Sequence, residues 1–211
     1  MSRGRFITLE GGEGAGKSTV MAVIAATLAQ RDIGHELTRE PGGTPLAEAI
    51  RAVALDPHWT GVMYPETELL LVFAARAQHV RERILPALAA GRWVVSDRYT
   101  DASYAYQGGG RDQPVERIAE LENWAAPVMP DLTFLLDVPV EQGLARAYSR
   151  GARDRMEREQ TEFHERVHAG YHRRMAHDPS RFRVIDASQS QADVAAAVKS
   201  ELLSWIDAPC R

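Results

Sequence analysis

Apolar residues along the chain follow two rhythms. Short unbroken runs, such as Phe6-Ile7-Thr8-Leu9, alternate with longer stretches in which apolar residues recur every three or four positions. Unbroken runs suit strands buried on both faces, and the slower rhythm suits amphipathic helices. Strands are predicted at 6–10, 36–39, 93–97, 132–137 and 183–186. Helices are predicted at 17–31, 45–55, 66–90, 114–126, 140–150, 156–178 and 191–206. The first helix carries Val20, Ile24 and Leu28 at spacing four, and the long one carries Leu69, Phe73, Ala77, Val80, Ile84 and Leu88. Pro45 suits a first helical turn, and Pro86 is placed to kink the long helix near its end. Gly151 opens a short arginine-rich loop between two helices. The alternation predicts an α/β fold with a parallel sheet, in one domain over 1–211 without repeat or linker.

Charge narrows the functional classes. The net charge is −4, and no basic tail or block of like charge stands out, so nucleic acid and membrane surfaces are not expected partners. The longest apolar stretch, 69–75, falls far short of the ~20 residues of a membrane span. The run after Met1 is too short for a signal-peptide core, and Cys210 is the only cysteine, which suits a reducing compartment. A cytoplasmic protein is expected. Of 25 basic residues only Lys17 and Lys199 are lysines. A lysine kept against that bias suggests a place where a guanidinium will not serve.

Lys17 lies in Gly11-Gly12-Glu13-Gly14-Ala15-Gly16-Lys17-Ser18, a G-x-x-x-x-G-K-[ST] phosphate loop between a predicted strand and a predicted helix. Glycines let consecutive N–H groups converge as an anion nest, and the helix N-terminus adds partial positive charge. These residues, with Thr19 next in line, are the expected ATP-binding set. Lys17 is expected on the β/γ-phosphates and Ser18 on Mg²⁺. A G-x-G-x-x-G dinucleotide reading fails, because Gly12, Gly14 and Gly16 alternate.

Asp97 ends the predicted strand 93–97, at the edge where parallel sheets bind ligands, and is the second expected metal-side group. Arg98 follows, suited to bidentate phosphate binding. A GTPase would need an N-K-x-D motif, yet the one asparagine is Asn123 in Glu122-Asn123-Trp124. No L-S-G-G-Q signature of a transporter ATPase is present, and no second acid follows Asp97. A small P-loop kinase remains; a non-catalytic nucleotide-binding subunit is the rival from another class.

Thr38-Arg39-Glu40-Pro41-Gly42-Gly43-Thr44, Asp97-Arg98-Tyr99 and Ala105-Tyr106-Gln107-Gly108-Gly109-Gly110-Arg111 resemble successive motifs of bacterial thymidylate kinases. The likeness continues through Pro130-Asp131-Leu132-Thr133, Asp154-Arg155 and Ile185-Asp186-Ala187. It implies a P-loop nucleoside-monophosphate-kinase fold, with a five-stranded parallel sheet flanked by helices and a lid near 147–160. It also implies a homodimer, ATP and Mg²⁺ as cofactors, and phosphorylation of dTMP to dTDP, with dTMP-binding segments within about 40–110. By the same resemblance Arg51 and Arg98 clamp the dTMP phosphate, and Glu40, Pro41 and Gly42 shape its wall. Glu13 accepts from the sugar 3′-OH, and Tyr106 crowds the 2′ position. Arg76 and Gln107 read the thymine edge with Ser103 nearby, and Ala187-Ser188 lines the adenine.

One feature departs from the family pattern, and a second is a point on which the family itself varies. Relatives commonly stack a phenylalanine on the base four residues before the thymine-reading arginine; here that position is Val72, and Phe73 follows. One helical residue turns the side chain by about 100°, so either Val72 packs on the ring or Phe73 reaches in. This leaves another pyrimidine monophosphate open as substrate. The phosphate loop also lacks a basic residue among its variable positions, so the extra catalytic cation is expected from Arg150, Arg153 and above all Arg155. The competing reading is a solvated charged loop, since Arg158, Glu159 and Glu162 follow.

Overall fold

A computed structural model describes residues 3–149 and 154–208. Five strands form one parallel sheet in the order β2-β3-β1-β4-β5. They are β1 (Phe6–Glu10), β2 (His35–Arg39), β3 (Trp93–Asp97), β4 (Leu132–Asp137) and β5 (Phe182–Asp186). All five residues of β1 are buried, as a central strand covered on both faces requires. On one face Ile7, Leu9 and Phe134 pack against Ile24 and Leu28 of α1 (Lys17–Gln30) and Val198 and Leu202 of α9 (Gln191–Asp207). On the other, Phe6 and Val94 meet Val80, Ile84 and Leu88. Truncating such a fully buried side chain, for example Ile24→Ala, costs roughly 2–5 kcal/mol.

Most boundaries fall within a residue or two of those read from the sequence. α2 is Pro45–Leu55, opened by a Thr44 cap, α6 is Val115–Ala125 and α7 is Val140–Tyr148. Three segments differ. The long helix at 66–90 runs as α3 (Pro65–His79), a wide π-turn (Val80–Ile84) and α4 (Leu85–Ala89). Pro86 has no N–H to give and its ring crowds the carbonyl four residues back, so the turn before it widens instead of bending. The helix predicted from 156 begins at 161, as α8 (Thr161–His177). The Asp154 carboxylate accepts from the Met156 and Glu157 amides at 2.9 Å each and closes a turn of its own. Finally, α5 (Thr100–Ser103) and a continuing π-helix (Tyr104–Gly110) occupy a stretch that the sequence left unassigned.

That extra helix and α8 form a third core of Ala105, Tyr106, Phe163, Val167 and Tyr171. Their backbones approach closely: a Cβ on Gly170 would stand 2.8 Å from Ala105 Cα. The register pairs Leu9 with Asp97, so the ends of β1 and β3 lie side by side at the carboxyl edge of the sheet. A crevice at that edge, where connections leave in opposite directions, is where open α/β sheets bind ligands.

Candidate functional site

β1 ends at Glu10 and the chain turns at once into the phosphate loop. The N-terminus of α1 is capped only by Gly16, in a left-handed conformation, with no side chain bonded to the first-turn amides. The Thr19 amide turns back to the Gly16 carbonyl at 3.1 Å, and the Lys17 and Ser18 amides ahead of it are placed for an anion. Gly14 has φ +68°, and a Cβ there would lie 1.9 Å from the Gly143 carbonyl of α7, so the loop seats on α7 backbone to backbone. Lys17 Nζ donates to the carbonyls of Gly11 and Gly12 at 3.2 and 3.0 Å. Burial and neighbouring Arg98 lower its proton affinity, while Asp97, Glu13 and Glu10 oppose that.

A cavity of about 240 Å³ opens beside this loop. Its phosphate-side wall is formed by Glu13 to Ser18 together with Asp97 and Arg98. Arg98 holds an uncommon backbone, φ +72°, with its amide donating to the Leu9 carbonyl at 2.9 Å. The guanidinium donates to Gly11 O, to the Tyr171 hydroxyl and to Glu13 Oε1, at 3.1, 2.9 and 2.8 Å. Burial alone would raise the Glu13 carboxyl, but Arg98, Lys17 and the Tyr106 hydroxyl pull it down to about 2. Tyr106 donates to the same Oε1 at 2.6 Å. Behind them Glu10, fully buried, accepts from the Tyr99 amide and the Tyr171 hydroxyl. Desolvation, with Asp101 nearby, pushes it up to about 8.

Asp97 Oδ1 is buried and has no hydrogen-bond partner among the described residues. A buried acceptor left bare is costly unless a ligand satisfies it. With Ser18 lining the same cavity, this donor set of hydroxyl and carboxylate oxygens fits a hard divalent cation such as Mg²⁺.

The opposite end is built from α3, the segment after β2 and the extra helix. Arg76 is 1% exposed and donates to Glu40 Oε2, Ser103 Oγ and the Tyr99 carbonyl at 2.6, 2.9 and 2.9 Å. Glu40 is completed by His79 Nδ1 at 2.9 Å. Gln107 Nε2 donates to Glu68 Oε1 at 2.9 Å. Glu68, on α3, is buried; its other oxygen takes Arg111 Nε at 3.0 Å and Arg155 Nη1 at 2.7 Å. Between the two ends, Arg51 Nη1 donates to the Pro41 carbonyl at 2.7 Å, beside a cis Glu40–Pro41 peptide. Burial, with Arg39 and Arg98 close by, lowers the proton affinity of Arg51.

The cavity thus gathers Glu40, Pro41, Arg51, Val72, Arg76, Ser103, Tyr106 and Gln107 from the set expected to bind the acceptor. Val72 is the residue facing it. Phe73 is corrected: it is 3% exposed in a separate cluster with Leu69, Ile118 and Ala125, and only its ring face meets the Arg76 guanidinium, 4.5 Å away. Gly42 stands outside the wall, turned toward the Glu48 carboxylate.

Of the expected lid arginines, Arg155 also needs correction. Arg155 is 3% exposed and locked: its backbone amide donates to the Leu55 carbonyl, its Nε to Ala54 O, and Nη1 pairs with Glu68. It supports the wall around Glu68 instead of facing the phosphate loop. Its neighbours Asp154, Met156 and Glu157 line the cavity. Arg150 and Arg153 lie outside the described residues. Ala187 and Ser188 are not on the cavity wall; their carbonyls accept from Arg146 at 2.7 and 3.2 Å. Thr19 is exposed just past Ser18 in the first turn of α1.

Glu68 was not anticipated. Its signal was present: Glu68, Val72 and Arg76 repeat at spacing four and share one helix face.

A family model described as thymidylate kinase matches residues 9–198. Among curated relatives, a thymidylate kinase of Alkalilimnicola ehrlichii is 54% identical over 98% of this chain and 95% of its own. One of Ectopseudomonas mendocina is 53% identical over 99% of both chains. One of Chromohalobacter salexigens is 54% identical over 97% of this chain and all of its own.

Proposed function

The chain belongs to the thymidylate kinase family, and we propose that the crevice beside the phosphate loop carries the γ-phosphoryl group of ATP to the phosphate of dTMP, giving dTDP. The observation that carries this reading is the continuity of the cavity, from Ser18 at the phosphate loop to Gln107 at the far end.

The far end reads a base. An ionised carboxylate only accepts, so Glu68 draws the amide nitrogen of Gln107 to itself and leaves the amide oxygen for a ligand. That oxygen matches the N3–H of thymine and repels the bare N3 of cytosine. Arg76, fixed by three partners, still has N–H groups for the thymine O4. Ala54, Leu55, Val72, Ala102 and Met156 supply the apolar flanks. Tyr106 and Glu13, bonded to each other, stand where the sugar would lie, the ring against a 2′ substituent and the carboxylate toward the 3′-OH.

At the near end the loop amides and the α1 N-terminus take the ATP phosphates, and Lys17 exchanges its two carbonyl partners for phosphate oxygens. Ser18 and Asp97 would hold Mg²⁺, which supplies neutralisation of charge on the β- and γ-phosphates. Arg51 and Arg98 position the dTMP phosphate. A phosphate oxygen is already a nucleophile at neutral pH, so no side chain need remove a proton. The work left to the chain is alignment and charge compensation.

A homodimer in the cytoplasm is the proposed setting. Exposed Leu70 on α3 and Trp124 on α6, at 59% and 75%, support a covered face there, to be checked by light scattering. No helix among the described residues is long and apolar enough to cross a membrane. The reading is tested by ADP release from ATP with dTMP, dUMP, dCMP, UMP, AMP and GMP. The highest kcat/KM is expected for dTMP; equal use of dCMP or a purine monophosphate would sink the base assignment.

A further inference from the structure

Away from the crevice wall, a carboxylate and two imidazoles converge. Asp137 is the last residue of β4, and its carbonyl is fixed by the Ala187 amide at 2.7 Å. On α8, Val167 and Tyr171 are buried against the extra helix, and this turns the next residues, His168 and His172, toward Asp137. His168 Nε2 lies 2.7 Å and His172 Nε2 3.3 Å from the same oxygen, Asp137 Oδ1. The imidazole centroids are 4.6 Å apart, and one ligand atom from each residue lies within 4.8 Å of the others. The side chains are 32–39% exposed, open enough for an ion and its waters to enter.

We propose that Asp137, His168 and His172 form a site for a divalent transition-metal ion of the zinc class. Two histidines four apart on one helical face, joined by a carboxylate from a rigid strand end, offer two imidazole nitrogens and one oxygen. That mixture suits zinc, nickel or copper(II), whereas Mg²⁺ prefers oxygen ligands. Zinc bonds of about 2.0–2.2 Å place neighbouring tetrahedral ligands roughly 3.3 Å apart. His172 and Asp137 already have that separation, and His168, partly exposed, needs to draw back from 2.7 Å by roughly half an ångström. Both imidazoles bind neutral, through Nε2, with the ring proton moved to Nδ1. Water fills the remaining position. The bound ion fastens α8 to β4, and α8 carries Tyr171, which contacts Arg98 in the crevice.

The site is independent of the nucleotide reading and is tested without turnover. Tag-free full-length protein is titrated with Zn²⁺ by calorimetry in millimolar Mg²⁺, beside His168→Ala, His172→Ala and the double variant, with folding checked by circular dichroism. One Zn²⁺ per chain is expected at micromolar affinity, weakened by about tenfold or more in each single variant and lost in the double. Zn²⁺ should raise the melting temperature of the parent chain and not of the double variant. Wild-type stoichiometry and affinity in a folded double variant overturn the site, as does failure of the parent chain to bind at about 100 times a micromolar Kd.

Discussion

The two ends of the crevice are finished differently. At the proposed base end the polar side chains are already held by neighbours: Arg76 by the Glu40 and Ser103 side chains and the Tyr99 carbonyl, and Gln107 by Glu68. Lys17 at the phosphate end and Arg51 midway rest on neutral backbone carbonyls, of Gly11, Gly12 and Pro41. A phosphate oxygen displaces a carbonyl, because it meets the cation with a full negative charge where the carbonyl offers only a dipole. On the proposed reading, specificity comes from groups fixed before the ligand arrives, and charge compensation from groups that change partner when it arrives. Arg98 stands between: it keeps an ion pair to Glu13 and still faces the cavity.

This contrast can be broken at either end. Lys17→Ala should have the largest effect, lowering kcat by about 10²–10³ or more with an unchanged circular dichroism spectrum, since removing a donor to developing charge costs that much. A folded variant with near-normal turnover would remove Lys17 from the chemistry. Gln107→Ala should reduce kcat/KM for dTMP by roughly ten- to hundredfold, the loss of about 1–3 kcal/mol, while the KM for ATP stays within error. Parallel rises in both KM values would deny a base-reading role.

Glu68→Gln sharpens the contrast further. A glutamine at 68 can donate as well as accept, so the Gln107 amide is free to turn over and present its nitrogen. The expected readout is a fall of about tenfold in preference for dTMP over dCMP, equivalent to about 1.4 kcal/mol, larger than the loss of dTMP turnover itself. If preference is untouched, Gln107 is oriented by something else. Val72→Phe should do least. It tightens dTMP binding by the roughly 0.5–1.5 kcal/mol of an aromatic contact, visible by calorimetry. Weaker binding instead would mean that the cavity wall has no room for a ring.

The phosphate loop and the strands were legible because their signals are local: a glycine spacing, an unbroken apolar run, an acid at a strand end. The helix at 100–110 was not, for Thr100, Asp101, Ser103 and three successive glycines are weak helix formers. Tertiary contact holds it: Gly109 and Gly110 fit against the Arg166 carbonyl and the Phe163 ring, where a Cβ would stand 2.6 and 2.4 Å from its neighbours. Ser103, Tyr106 and Gln107 were named through a resemblance, and only this packing shows how they reach one wall. Val72 and Phe73 differ by one helical step, and only the position of the Ile118 cluster decides which is core. Arg155 misled for a related reason. In the sequence it is one charge among many, while in the fold a buried acid 87 positions earlier holds it.

The scarcity of lysine has a practical side. An acylating reagent meets two side-chain amines on this protein besides the α-amine: Lys17, half-buried with lowered proton affinity, and Lys199, exposed on α9 and 3.5 Å from Gln30 Oε1. The reagent acts on the unprotonated amine, so Lys17 reacts at milder pH than an ordinary lysine, and a nucleotide seated on the loop should shield it. Occupancy of the crevice then becomes readable by mass spectrometry as protection of a single amine, with Lys199 as the internal standard in the same digest.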